Sequence, residues 1–488
     1  MLAILLLMEI VIILVSGILI IYIKDRVLRK RIVFWIILSS LIINTFSLLM
    51  AFFMHIQIYE VYLILDSNVL LIIESILVGG IIYAIISKNN DKKSIKNPIY
   101  DGINQLILAG IIGFVSSSHL LILISWFAFV LVLLGINLFY EEITIDFKNL
   151  VPFFLTIGIS LAALYIFSII IFFDTGTINI IEIISIGVSD EFNFICIILI
   201  IIGFGLPCGI LPIGVFHLKK VFQDGSYFSL LFYLLINYSI IFNLFRLFQF
   251  FEFLPLGFGL FVTIISILGI IIFSYILLKQ LFFSLEEKTL SLQKIMGYSI
   301  TGDFNNFLML FSISLLISGY MKETYLNGFF LVFSLFIFVK LLILNNIYPM
   351  ILTQEDDRIV KEKGRRYSKF LRFLLYFAGA KIAFPLSFYS SWILFEVLSS
   401  PEVQSNSAFI FLIILIIILH LLYNMISLVM ISTINLETHD DEILNANKKE
   451  LELCDISFES KIVILFIYIL CILINILFFL NLFSYILL

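Results

Sequence analysis

Apolar residues fill the chain in long unbroken blocks, and polar residues gather in short joints between them. The blocks recur from end to end, and at about 18 or more residues each is long enough to cross roughly 30 Å of hydrocarbon as a helix. They are continuous rather than alternating, which argues against a barrel and against strands. The pattern predicts fourteen spans, near 2–23, 33–56, 64–87, 104–118, 119–139, 150–173, 192–216, 227–248, 256–279, 295–319, 327–346, 370–398, 407–433 and 462–487. Only Ser116-Ser117-Ser118-His119 divides the fourth from the fifth. The expected fold class is an all-α integral membrane protein.

Composition agrees: 62% of the 488 residues are hydrophobic and 13% charged, against about 25% charged in soluble domains. An ordinary soluble protein is excluded. The basic residues are unevenly placed. Lys24, Arg26, Arg29, Lys30 and Arg31 follow the first span, and Lys88, Lys92, Lys93 and Lys96 follow the third. Lys219 and Lys220 follow the seventh, Lys288 and Lys294 the ninth, and Arg358 to Lys369 the eleventh. The alternate joints hold almost none, Lys322 being the main exception. By the positive-inside rule this multi-pass chain sits in the cell (cytoplasmic or inner) membrane with both termini on the outer side. The first basic cluster follows its apolar run, so the first span reads as a retained helix and not a signal peptide. Segment 434–461 is acidic. It reads as a solvated loop, with docking to a soluble partner as the sharper alternative.

Cys196, Cys208, Cys454 and Cys471 form no CxxC and no metal-ligand spacing, and no glycine-rich nucleotide fingerprint follows a strand. No metal, cofactor or nucleic-acid site is expected, and any redox chemistry belongs to partner subunits. Two spans carry helix-breaking punctuation. In the seventh, the run from Gly203 to Pro212 is expected to unwind or kink at Pro207 and Pro212, since each proline removes a backbone donor. In the twelfth, Gly379 and Pro385 do the same. Breaks at matched positions in two halves point to inverted repeats around a mid-membrane ion path. The bland alternative is that Pro and Gly are simply commoner in membrane helices.

Several strings, in order along the chain, resemble the antiporter-like membrane subunits of respiratory complex I, membrane-bound hydrogenases and Mrp-type antiporters. Ser291-Leu292-Gln293-Lys294-Ile295-Met296-Gly297-Tyr298-Ser299-Ile300 is similar to the family's D-L-K-R-L-L-A-Y-S-S at the start of helix ten. Phe338-Val339-Lys340-Leu341-Leu342-Ile343-Leu344-Asn345 resembles its F-F-K-A-L-L-F-L in helix eleven. The Pro212 region with Asp224-Gly225-Ser226 resembles F-P-x-H-x-W…E-A-P-T. Ser387 to Trp392 resembles G-F-x-x-K of helix twelve, and Asp174 to Ile178 the family's T-G-T loop. Asp66 stands where the family often has an Asp. The resemblance covers about residues 60 to 435. It implies two inverted five-helix repeats with broken helices 7 and 12. The chain would then divide into helices 1–3 (1–103), a first repeat (104–250), a second repeat (251–435), and an acidic loop with helix 14 (436–488).

The departures bear on function. The family's pump pairs a helix-five glutamate with a helix-seven lysine, so that a moving proton toggles their charge states. Here Phe127, within Ser125-Trp126-Phe127-Ala128, stands at the acid position and Pro207 at the lysine position. Asn237 replaces the helix-eight relay lysine, Asp303 the helix-ten histidine, and Ser391 the helix-twelve exit residue. Lys340 alone aligns as a like residue.

Lys340 lies deep in an apolar run, where a charge costs at least about 2.5 to 3.5 kcal/mol. It reads equally as a relay lysine or as a structural lysine paired with a carboxylate. Asp303 is its candidate partner, or a solvated carboxyl near the inner surface. Glu74 and His420 lie at mid-depth; a single satisfied interhelical bond is the commoner role for a membrane histidine. Lys381 lies beside the helix-twelve break. Arg246 and Glu396 read as snorkelling side chains. The ion-path candidates are thus Lys340, Asp303, Asn237, His420, Lys381 and Glu74. The leading expectation is a divergent, non-redox subunit in the membrane arm of an NADH-quinone-oxidoreductase-like or hydrogenase-like complex. It would contribute to proton or Na+ translocation or to structural continuity of the arm, with other membrane-arm subunits and lipids as partners. The alternative is a stand-alone 14-helix secondary transporter or flippase.

Overall fold

The structure, a computed structural model, describes residues 2–54, 58–59, 63–89, 98–141, 151–209, 227–251 and 292–312, with isolated positions at 262–275, 341 and 410–422. The chain forms two compact units, Met1–Phe258 and Gly259–Leu488.

In the first unit the order is α1 (Leu2–Tyr22), α2 (Arg26–Met54), β1 (Ile58–Tyr59), β2 (Ile64–Leu65), α3 (Ser67–Asn89), α4 (Pro98–Ser116), α5 (Leu120–Glu141), α6 (Val151–Thr175), α7 (Ile180–Ile186), α8 (Asp190–Cys208) and α9 (Tyr227–Phe248). All but α7 among the helices are long and apolar enough to cross a membrane. These eight match the first eight predicted spans one for one. Of the later spans, α10 (Leu292–Ser312) in the second unit covers most of the tenth. The remaining spans lie outside the described residues or are touched only at isolated positions.

Helix starts follow local chemistry. Asp25 Oδ1 accepts from the Val27 amide at 2.9 Å, and Asp66 Oδ1 from the Val69 amide at 2.7 Å. Each satisfies an amide that a helix N-terminus leaves unpaired. Pro98 opens α4, where its missing N–H is harmless. Inside the first unit α1 packs on α4, α2 on α3, α4 on α5, and α6 on α8. The apolar windows of α3 and α9 are 94% and 100% buried, against 39% for α1 and α2. Hence α3 and α9 are central, and α1 and α2 present their other faces outward, with Leu7, Val11, Ile18 and Trp35 exposed. At the end where α4 meets α5 the joints zip together. Leu63 bridges Ser117, the Ile180 amide donates to Ser118 O, the Leu120 amide to Ile178 O, and the Val188 amide to Phe250 O.

Four sequence expectations change. The antiparallel pair Ile58–Tyr59 with Ile64–Leu65 is a strand pairing where none was expected; two residues are too short to leave a pattern. α2 begins at Arg26 and not near 33, and α4 at Pro98 and not near 104. Helix α7 occupies a stretch read as a joint. The helix of the seventh span ends within the run from Gly203 to Pro212, just after Pro207. α8 runs through it, with Pro207 in the last turn, and ends at Cys208 with Gly209 in the left-handed conformation (φ 79°). A proline so close to the end still interrupts the helical ladder, and glycine closes it without a Cβ penalty. Pro212, Gly379 and Pro385 lie outside the described residues.

Candidate functional site

Buried polar groups in the first unit fall at three levels. At one end Asp101, in the first turn of α4, gathers two cations. Arg29 Nε donates to its Oδ2 at 2.6 Å, Lys30 Nζ donates to Oδ1, and the Tyr83 hydroxyl donates to Oδ1 at 2.8 Å. Arg29 Nη1 also donates to Ile23 O at 3.1 Å. Lys30 Nζ stands 5.7 Å from the Tyr83 ring centroid. All four side chains are buried. Sequence reading missed this cluster because the positive-inside rule had already accounted for its cations. The usable signal was a lone acid just after Pro98.

Further along the bundle lies Glu74 on α3. Asn44 Nδ2 donates to its Oε2 at 2.7 Å and to Leu70 O at 3.0 Å. Thr45 Oγ1 lies 2.7 Å from its Oε1 and 2.8 Å from Leu41 O. Glu9 on α1, unnoticed in the sequence, is buried and within electrostatic reach of Glu74.

At the joint end Arg246 of α9 reaches across to the last turn of α4. Nη1 donates to Val115 O at 2.7 Å and to Asn243 Oδ1 at 3.3 Å, and Nη2 to Ser117 O at 2.7 Å. Arg246 is 6% exposed, so it does not snorkel. The carbonyls left over at the end of α4 draw it inward, as does the charge of Asp66. Burial raises the Asp66 carboxyl above its usual range, while the Val69 amide and Arg246 act against that rise. Next to α5, burial lowers the His119 imidazole.

The position that the resemblance gives to an acid is filled by aromatics. Phe127 of α5 stacks on Phe114 of α4 at 5.1 Å and leans on Phe204 of α8 at 5.2 Å, and Phe114 and Phe204 stand 6.0 Å apart. All three rings are buried. α8 comes close to α6 at Gly203, whose carbonyl accepts from Ser160 Oγ and where a Cβ would strike Leu164 at 2.5 Å.

Asn237 is buried on α9, and neither amide atom has a hydrogen-bond partner among the described residues. In the second unit Asp303 is fully buried within the polar run Thr301–Asn306 of α10, all of it buried. It is therefore not a solvated surface carboxyl. Thr301 Oγ1 donates to Gly297 O at 3.1 Å, and Asn305 Nδ2 to Thr301 O at 2.9 Å. Lys340, His420 and Lys381 lie outside the described residues. No hydrogen bond joins Glu74 to Asn237, although α3 and α9 pack together. Among the described residues no group of His, Cys, Asp and Glu is placed to hold a metal.

No protein-family model and no curated protein matches the chain. Solved structures match over nearly its whole length. One is a chain of the membrane-bound sulfane sulfur reductase, an archaeal respiratory membrane complex. It has a TM-score of 0.70 at 13% identity, covering 98% of this chain and 96% of that one. A chain of respiratory complex I from Thermus thermophilus with bound aureothin matches at TM-score 0.66 and 11% identity, covering 97% and 98%. A chain of the same complex with bound NADH matches at 0.69 and 12%, covering 96% and 99%. The protein is an integral membrane protein that shares the fold of these respiratory-complex chains.

Proposed function

We propose that this chain is a non-redox subunit in the membrane arm of a complex I-like or hydrogenase-like respiratory oxidoreductase, with other membrane-arm subunits as its partners. The observation that carries the reading is the whole-length structural match, 98% of this chain against 96% of a chain from an archaeal respiratory membrane complex. The ordered strings around Lys340 and Tyr298 support it. In this reading the chain has fourteen helices in two inverted five-helix repeats, at 104–250 and 251–435, with both termini outside. In this reading its first repeat has lost the acid-and-lysine couple, with Phe127 and Pro207 at the two positions; Phe127 packs instead on Phe204, three residues before Pro207. What it contributes is structural continuity and a modified ion path through Glu74, Asn237, Asp303, Lys340, Lys381 and His420. The amide of Asn237, without a hydrogen-bond partner among the described residues, supports such a path, because buried polar groups of this kind are the ones that hold ordered water.

Native purification of the tagged protein in mild detergent tests the assignment. The expected result is co-purification with other antiporter-like subunits and iron–sulfur or hydrogenase proteins. A homogeneous chain without partners overturns it and favours the solitary transporter. Within an assembled complex, Lys340→Met is expected to lower coupled ion translocation at least tenfold while partners stay bound. Unchanged translocation removes Lys340 from the path.

A further inference from the structure

Glu74 has a hydrogen-bond arrangement that fits two protonation states without moving a heavy atom. Thr45 has one hydroxyl proton but two acceptors in reach, Leu41 O at 2.8 Å and Glu74 Oε1 at 2.7 Å. A helical threonine commonly gives its proton to the carbonyl four residues back. When Thr45 does so, its contact with Glu74 needs a proton on the carboxyl, donated from Oε1 to Thr45 Oγ1. When Thr45 turns its proton to Glu74 instead, the same contact serves an ionised carboxylate. Asn44 donates to Oε2 in either state. A single hydroxyl rotation separates the two.

The charge balance selects between them. Glu74 and Glu9 are each 1% exposed and the charge of Glu74 reaches Glu9, while among the described residues no cation acts on either. Glu9 Oε1 is buried with no hydrogen-bond partner among the described residues. Two buried anions facing each other without a cation are strongly unfavourable, and neutralisation is the general way out. α2 contributes only the neutral Asn44 and Thr45 to the site.

We propose that Glu74, with Thr45 as its proton acceptor and Glu9 as its acidic neighbour, is a proton-binding site among α1, α2 and α3. It would bind a single proton reversibly, on different helices from Phe127 and Pro207. The inference rests on the reading of Glu74 as part of an ion path and gives it a chemical role there.

Infrared difference spectroscopy of the purified full chain in detergent at neutral pH tests it. The wild type is expected to show a carboxylic-acid C=O stretch that moves on exchange into D2O. One component of that band should vanish in Glu74→Gln, persist in Glu9→Gln, and shift to higher frequency in Thr45→Val, which removes the acceptor. Sodium at constant pH should leave it unchanged. Glu74→Gln keeps the shape of the protonated acid and is expected to fold; Thr45→Val gives a second readout that leaves Glu74 in place. A band identical in wild type and Glu74→Gln overturns the proposal. So does loss of the band on adding Na+, which would make this a sodium site. Neither result touches the assignment to a respiratory complex, which depends on co-purifying partners and not on this band.

Discussion

Removing the charge of Asp101 by Asp101→Asn leaves Arg29 and Lys30 buried beside a neutral amide. Breaking a buried pair from one side costs about 3 to 5 kcal/mol, so the variant is expected to show a clearly lower thermal midpoint in detergent. Glu at the same position should recover part of the loss. Arg246→Met removes the donors to Val115 O and Ser117 O. Unsatisfied buried groups cost about 1 to 3 kcal/mol each, and the same melting experiment reads the loss. Asp66 makes a pH prediction with a definite sign. Burial raises its folded-state carboxyl above the ordinary 3.8. Its contribution to stability is therefore complete below 3.8 and is lost as pH rises through the raised value. Asp66→Asn should flatten that slope in pH-dependent melts while keeping the cap on α3, because asparagine caps as well as aspartate. The legibility of such residues in sequence depended on contrast. Glu74 stood out as an acid in an apolar run, whereas Arg29 and Lys30 were hidden among other basic residues at a span end. Glu9, an acid in an equally apolar run, offered the same contrast and went unread.

Helices were easier to read than their ends. Length and hydropathy alone located all eight spans of the first unit, because in hydrocarbon every backbone group must be bonded internally. Starts were misplaced where charged residues belong to the helix: Arg26 to Arg31 and Asp101 looked like joints and are helical, with Arg29 and Lys30 neutralised by Asp101. Pro207 looked like a break, and α8 ends one residue after it. At the contact of α4, α5 and α8, the triad of Phe114, Phe127 and Phe204 makes a further prediction. Phe127→Ala opens a cavity at the centre of the triad and should cost about 3 to 5 kcal/mol. Phe127→Glu, which puts the acid back, should lower the midpoint at least as far, because its carboxylate would lie between two rings with no lysine at Pro207 to meet it.

At the scale of the molecule, identities of 11–13% coexist with near-complete structural coverage. A membrane fold of this kind is specified mainly by where apolar blocks begin and end, so residue identity can drift while the pattern holds. The charges of an ion path are a handful of positions and drift independently of it. That is why the fold was legible from the chain's own pattern, and why the role of Phe127 became visible only once its neighbours were in view. The aromatic triad also has an electrical meaning. At its level three buried aromatic rings are in contact, a setting in which an ion would have to shed its water with no carboxylate to receive it. Liposomes carrying the wild-type chain alone should therefore hold an imposed proton gradient, as read by a pH-sensitive dye, about as long as empty ones, and those carrying Phe127→Ala should discharge it faster. A first unit closed in this way would keep the chain from short-circuiting the membrane on its own, which is the outcome the dye reads.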